Sequence, residues 1–170
     1  MTTPLFDSSQ LRQACGHFPT GVTAVTAVSS TGSVAALTVN SFTSVSLTPA
    51  QVLFCLAHTS SSFPTLMSST RIAIHILRND QEDVARLFAT SGLTGEDKLA
   101  GVSWLPGPDG VPLLADSTAL LVGKPGQIVT SGDHSIFVVD IDHVDLKPSP
   151  APALVFYRGR FVDVNAGPSE

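Results

Sequence analysis

The sequence predicts a mainly β protein: a closed or partly closed antiparallel barrel with a few short helices. Three observations predict it. Six or seven short runs are rich in Val, Ile, Thr and Phe, the residues that suit a pleated, half-buried surface. The segments between them are mostly too short for the crossover helices of repeated βαβ units. Apolar residues make up 43% of the chain and charged residues 14%, enough to fill a substantial core.

Taken in order, Asp7, Ser8 and Ser9 cap a short helix reaching Gly16 or His17, with Leu11, Ala14, Cys15 and Phe18 as its apolar stripe. Phe18-Pro19-Thr20-Gly21 ends it, since Pro19 has no amide to donate and Gly21 tolerates unusual backbone angles. Residues 22–29 and 34–40 are a strand pair around the polar turn at 30–33. A Ser/Thr-rich turn follows, then Leu47-Thr48-Pro49. Residues 51–57 are apolar without helical period, which predicts a strand buried on both faces. Residues 62–68 are a short helix. Residues 71–77 alternate, with Ile72, Ile74 and Ile76 on one face. Asn79 and Asp80 cap a helix to about Ala89, whose buried stripe is Val84, Leu87 and Phe88.

A polar link at 90–98 leads to the run 99–104, and 106–112 is a Gly/Pro loop. Residues 119–130 form a strand interrupted by Gly123, Pro125 and Gly126, which predicts a bulge or an edge. Ser131-Gly132-Asp133 is a turn into the strand at 134–145. A Pro-rich loop at 147–152 precedes a last strand at 153–162, and 165–170 is expected to fray.

The 170 residues fit one domain. The formal net charge is −5, with nine Lys plus Arg and no basic run, so nothing asks for nucleic acid. Cys15 and Cys55 have no neighbouring cysteine, which leaves no metal-ligand pair and no disulfide framework. Both are read as packing thiols. The five histidines show no metal spacing, and no metal site is expected. The N-terminus lacks a basic region followed by an apolar core, and no stretch approaches the roughly 20 apolar residues of a membrane helix. The expectation is a soluble cytoplasmic protein. Serine is abundant, but no G-x-S-x-G elbow supports a hydrolase reading of Asp133 and His134.

The chemistry concentrates between Ala36 and Phe63. Thr38, Asn40, Ser41, Thr43, Ser44 and Ser46 put small hydrogen-bonding groups in one short span. Thr59, Ser60, Ser61 and Ser62 stand just before a helix, where hydroxyls and free amides can hold an anion. Together they suit a ligand with a flat polar edge and an anionic end. By spacing alone, the serines are better read as helix caps, and the first cluster equally as a β-turn.

These pieces are FPTGVTAVTA from Phe18, ALTVNSFTSVSLTP from Ala36, VLFCLAHTSSSF from Val52, IAIHILRNDQEDVARLFA from Ile72, DKLAGVSW from Asp97, Gly132-Asp133-His134 and LVFYRGRF from Leu154. In this order they resemble the short-chain flavin reductases, the reductase partners of two-component flavin-dependent monooxygenases. The resemblance covers about residues 11–162. One departure is His75, where the family pattern has a small or amide residue.

The resemblance implies a Greek-key, FMN-binding split β-barrel, usually a homodimer. It implies hydride transfer from NADH or NADPH to loosely held FMN or FAD, which then diffuses to a separate monooxygenase. Such chemistry needs stacked rings rather than a nucleophile. The implied ring contacts are Thr38, Asn40, Ser41, Phe42, Thr43 and Ser44, then Pro19, Thr20 and Gly21; Cys55, Leu56 and Ala57 are further implied cofactor-binding residues. Ser60, Ser61, Ser62 and Phe63 are the implied phosphate segment. His134, after Gly132 and Asp133, is expected to border the nicotinamide, positioning it or giving a proton; a lone turn histidine at the surface is the alternative. Tyr157 and Arg158 lie in the last strand, where Arg158 pairs with a phosphate or is a solvent-facing cation. The competing function is a non-catalytic flavin- or haem-binding protein on the same barrel, since fold alone does not decide function. A pyridoxal-type oxidase would call for a basic cluster that this chain lacks.

Overall fold

The computed structural model describes residues 6–147 and 151–162. In chain order they form α1 (Ser8–Gly16), β1 (Thr20–Gly21), β2 (Thr23–Ser29), β3 (Val34–Val39), β4 (Thr43–Leu47), β5 (Ala50–Ala57), α2 (Phe63–Met67), β6 (Ser69–Ile76), α3 (Glu82–Ala89), α4 (Gly95–Ala100), β7 (Trp104–Pro106), β8 (Pro112–Leu114), β9 (Ala119–Ser131), β10 (His134–Leu146), β11 (Val155–Tyr157) and β12 (Arg160–Val162). The expected frayed end at 165–170 and part of the Pro-rich loop at 147–152 lie outside the described residues.

Seven strands make one antiparallel sheet in the order β3-β2-β6-β9-β10-β5-β4. The sheet wraps a core of Val25, Leu37, Val39, Phe54, Ile72, Ile74 and Phe137, with the Phe54 and Phe137 rings stacked 5.3 Å apart. It does not close. Strands β3 and β5 both face this core, yet no ladder joins them. Pairing between β4 and β5 stops at Thr43 and Leu53, so the second half of β5 carries no strand on that edge. This open seam is consistent with a split barrel. A second core, with Val22, Leu77, Phe88, Leu99 and Leu154, lies under α3 and α4. Gly95 lets α4 lie directly on β3, because a Cβ there would meet the Val34 carbonyl oxygen at 2.1 Å.

The interrupted strand at 119–130 is an interior one, and the expected bulge is present: β9 and β10 change register between Phe137 and Val139 and again between Ile141 and His143. Several expectations are corrected. The Ser/Thr turn at 43–47 is the edge strand β4. Its pairing comes from β5, since its own residues, mostly exposed, show no buried face. Strand β5 buries only Val52, Phe54 and Leu56; Leu53, Cys55 and Ala57 on its outer face are half-buried because no second layer of the described residues covers them. Strand β6 departs the other way. It is buried on both faces from Arg71 to His75, because β8 and the turn between β7 and β8 cover the side opposite the main core. The link at 90–98 contains the N-terminal part of α4, started by a capping box in which Thr94 and Asp97 exchange hydrogen bonds. The last strand at 153–162 is a hairpin, β11–β12, turned at Arg158-Gly159 and joined to β1. The stripe of α1 is not covered by the described residues: Leu11 and Phe18 are 52% and 74% exposed, and Cys15 is exposed rather than packed.

Two polar groups are built into the sheet. Arg71 is buried and ion-paired with Asp109 and Asp142, tying β6 to the β7–β8 turn and to β10. His75 is fully buried. Its Nδ1 donates to the Ala24 carbonyl (3.2 Å), so its Nε2 accepts from the Leu114 amide (3.1 Å) and the ring is neutral. Burial, helped by the charge of Lys147, pushes its pKa down to about 4, against the Ala24 hydrogen bond. Unfolding releases a histidine that binds protons near pH 6.5, so stability contributed by neutral His75 is complete above that pH and is lost as pH falls toward 4. The loss amounts to about 3 kcal/mol. His75→Gln keeps a donor and an acceptor but cannot titrate. Chemical denaturation from pH 7 to pH 4 is expected to show a clearly shallower loss of stability in this variant; identical slopes would remove His75 as the source.

Candidate functional site

The seam between β3 and β5 gathers most of the residues picked out from the sequence. Beyond Leu53 the edge of β5 has no strand partner, and its backbone groups need other partners. Ser41 supplies them at one point. Its hydroxyl accepts from the Cys55 amide at 2.9 Å and donates to the Cys55 carbonyl at 3.4 Å. One side chain thus replaces a ladder rung and holds the chain after β3 beside β5. Clefts open on either side of this stitch.

The larger cleft, about 770 Å³, is lined by Pro19, Thr20, Gly21, Asn40, Ser41, Phe42 and Thr43. Four segments meet there: the end of α1 through Arg12, Cys15 and Gly16, the β1 turn, the chain after β3 and the last hairpin through Phe156 and Gly159. Thr20 Oγ1 is buried without a hydrogen-bond partner among the described residues. The wall is therefore backbone, small polar side chains, Arg12 and Cys15 of α1, and three phenylalanines, Phe18, Phe42 and Phe156, a lining suited to a flat ring with a polar edge.

The smaller cleft, about 330 Å³, is lined by Thr38, Leu56, Ala57, Ser60 and Ser61 on one side and the α3–α4 connection on the other. Thr38 donates its hydroxyl to the Ala85 carbonyl of α3 at 2.7 Å, leaving only lone pairs for a ligand. The serine cluster is a tight turn. The Ser60 amide goes to the Ala57 carbonyl, the Ser62 amide to the Ser60 hydroxyl, and the Phe63 amide to the Ser60 carbonyl. Ser62 stands at the N-cap of α2 without a side-chain cap bond, while the Ser60 hydroxyl accepts the Ser62 amide and keeps its own proton to donate. Ser61 makes a long bond, 3.4 Å, to the Leu93 carbonyl.

Other candidates lie apart from both clefts. Ser62 is buried and borders a neighbouring groove with Ser33 and Thr65. Phe63 packs edge-on against His58 and Phe137. Ser44 is exposed on β4 opposite Val52, and Cys55 is held by Ser41. The Gly132–Asp133 turn delivers His134 directly opposite Ala57, at the end of β5 where the serine turn begins. His134 Nδ1 donates to the Asp133 carboxylate at 2.7 Å, which leaves Nε2 as the nitrogen open to a ligand. That hydrogen bond and the imidazole's charge hold the Asp133 carboxyl below its ordinary range. Tyr157 is half-buried on β11, while Arg158 turns the hairpin in a left-handed conformation, φ +50°. Its amide donates to Gly16, and its guanidinium lies 3.2 Å from His17 Nδ1 and over the Tyr157 ring. With Arg12 it lines a groove adjoining the large cleft.

Sequence reasoning missed Arg12, Phe156 and Lys98 as cleft residues. Only Lys98 had a legible signal. The pattern Thr94-x-x-Asp97 announces a helix start, which would have placed Lys98 in a helix's first turns instead of a link.

A family model described as a flavin reductase like domain matches residues 15–165. The chain is 42% identical over 138 residues to a probable flavin reductase of Rhizobium meliloti (strain 1021), covering 81% of this chain and 43% of the relative. It is 38% identical over 161 residues to the stachydrine N-demethylase reductase subunit of the same organism, covering 95% and 68%. The chain thus spans less than half the length of the first of these relatives. Among solved structures, it is similar to the NADH:FAD oxidoreductase SgcE6 of Streptomyces globisporus C-1027 in complex with NAD and FAD fragments. The TM-score is 0.85 at 34% identity, over 98% of this chain and 99% of that one.

Proposed function

Because this chain belongs to the flavin reductase like domain family, we propose that it is an NAD(P)H-dependent flavin reductase that supplies reduced FMN or FAD to a separate flavin-dependent monooxygenase. The observation that carries the proposal is the unpaired edge of β5, with the large cleft on one side and the serine-lined cleft on the other. A flavin nucleotide has the matching parts, a flat ring with a polar edge and a phosphate. The similarity to a reductase holding NAD and FAD fragments supports both substrates.

The residues fit the group. Asn40, Ser41, Phe42 and Thr43, with Pro19, Thr20 and Gly21, would hold the ring, and the orphaned Thr20 hydroxyl gains a partner from a polar ring edge. Thr38, Leu56, Ala57, Ser60 and Ser61 would hold the phosphate end. Arg158, its guanidinium over the Tyr157 ring, lines the groove that adjoins the ring cleft. When bound, the flavin supplies the redox chemistry, its N5 taking the hydride of nicotinamide C4. The protein's part is to hold the two rings within roughly 3–3.5 Å of one another and to exclude water. His134, oriented by Asp133, positions the nicotinamide through its open Nε2.

The reading extends to the whole chain as one flavin reductase domain, with its core at about 11–162, working as a cytoplasmic homodimer. No helix among the described residues is long and apolar enough to cross a membrane. The unpaired, exposed Cys15 is at home in a reducing compartment. Leu11 and Phe18 on one side, and Leu47 and Leu146 on strands β4 and β10, are exposed apolar groups that a second copy would cover.

Mixing the protein with NADH or NADPH and FMN, FAD or riboflavin under air is expected to give multiple turnovers of nicotinamide oxidation. Flavin binding without turnover for any pair would leave the passive-binder function instead. His134→Ala is expected to lower kcat/KM for NADH by roughly tenfold or more while flavin Kd moves less than about threefold; equal losses would take His134 off the nicotinamide side. Sedimentation equilibrium is expected to return twice the 17.7 kDa chain mass, and a monomer at micromolar concentration would overturn the dimer.

A further inference from the structure

Among the described residues, two cationic side chains are buried, and they are treated oppositely. Arg71, 9% exposed, is held by two carboxylates. Lys98, 4% exposed, is held by none. Its ammonium donates to the Ala36 carbonyl of β3 at 3.1 Å and the Phe88 carbonyl of α3 at 2.8 Å. The acids beside it in α4 do not reach it: Asp97 is used in the Thr94 capping box, and Glu96 is exposed. Burial without a counterion lowers its pKa.

An ammonium has three protons, and the two carbonyls account for two. They are neutral acceptors, so the charge itself stays unbalanced, an arrangement that an anion would complete. Lys98 borders the same cleft as Ser60 and Ser61. Those hydroxyls can orient a phosphate but cannot neutralise it, and the chain as a whole carries −5. No other Lys or Arg lines that cleft. A staple between α4, β3 and α3 would explain the two hydrogen bonds but not a charged group walled into the anion-facing side of the seam.

We propose that Lys98 is the counter-charge for the phosphate of the bound flavin nucleotide, and so sets the preference for phosphorylated flavins over riboflavin. The proposal rests on the flavin reading above. The phosphate completes the ammonium's third hydrogen bond, with Ser60 and Ser61 holding its other oxygens.

The test is the ratio of riboflavin to FMN dissociation constants, measured by titration for the wild type, Lys98→Gln and Lys98→Arg. A wild type that binds neither flavin removes the flavin reading itself and is seen before any variant is made. Lys98→Gln keeps a donor for the two carbonyls and removes the charge. FMN binding is expected to weaken roughly tenfold or more while riboflavin changes less than about twofold. Parallel weakening of both flavins, or no change in either, overturns the proposal and leaves Lys98 a staple. Lys98→Arg keeps the charge and is expected to keep FMN preferred; an Arg variant that binds both alike overturns it even if the Gln variant does not fold.

Discussion

The backbone edge of β5 beyond Leu53 is the constraint on which the site depends. A sheet edge carries amides and carbonyls that must pair with something. In a closed barrel β3 would supply the partners, and no cleft would exist. Here β4 covers only the first half of β5, and β3 stays unpaired on the other side of the seam. The hydroxyl of Ser41 satisfies Cys55 on both backbone groups, which keeps the seam narrow without sealing it. What remains open on either side is lined by the ends of strands, where short polar side chains and free backbone can meet a ligand.

The rest of the architecture keeps that edge in place. The shared core of Leu37, Val39, Phe54, Leu56 and Phe137 packs the two lips of the seam against common residues, so they cannot drift apart without opening the core. Behind it, β6 runs through the middle of the sheet with both faces buried, and its polar residues pin separate parts of the chain together. Arg71 reaches the β7–β8 turn and β10, and His75 joins β2 to β8. The departure of His75 from the small or amide residue of the family pattern is thus structural here. It is a neutral bridge between two backbone groups, on the far side of the sheet from the seam core.

Much of the fold was legible because it is written locally. Val/Thr content around a polar turn named β2 and β3, alternation named β6 and β10, and Gly123 with Pro125 announced a bulge or an edge, of which β9 carries the bulge. Strand β4 was not legible, since its edge position leaves both faces exposed and its Ser/Thr content imitates a turn. Helix α4 was hidden by its six-residue length, too short to show a period. The site followed the same division. The ring and serine segments could be picked out as clusters of small polar residues, but Lys98 is a single cation in a polar stretch, and only burial against Ala36 and Phe88 makes it unusual.

By itself the sequence determined the strand-rich class, the family to which the quoted motifs point, and two stretches that each line a cleft. Those features rest on residue types and short spacings, which the chain carries wherever it folds. The tertiary structure decided which edge stays unpaired, that α1 leaves its apolar stripe open, that His134 stands opposite Ala57, and that Lys98 is buried without a counter-charge. These are relations between residues far apart in the chain. No local pattern encodes them, because each depends on which surface the fold brings to face another.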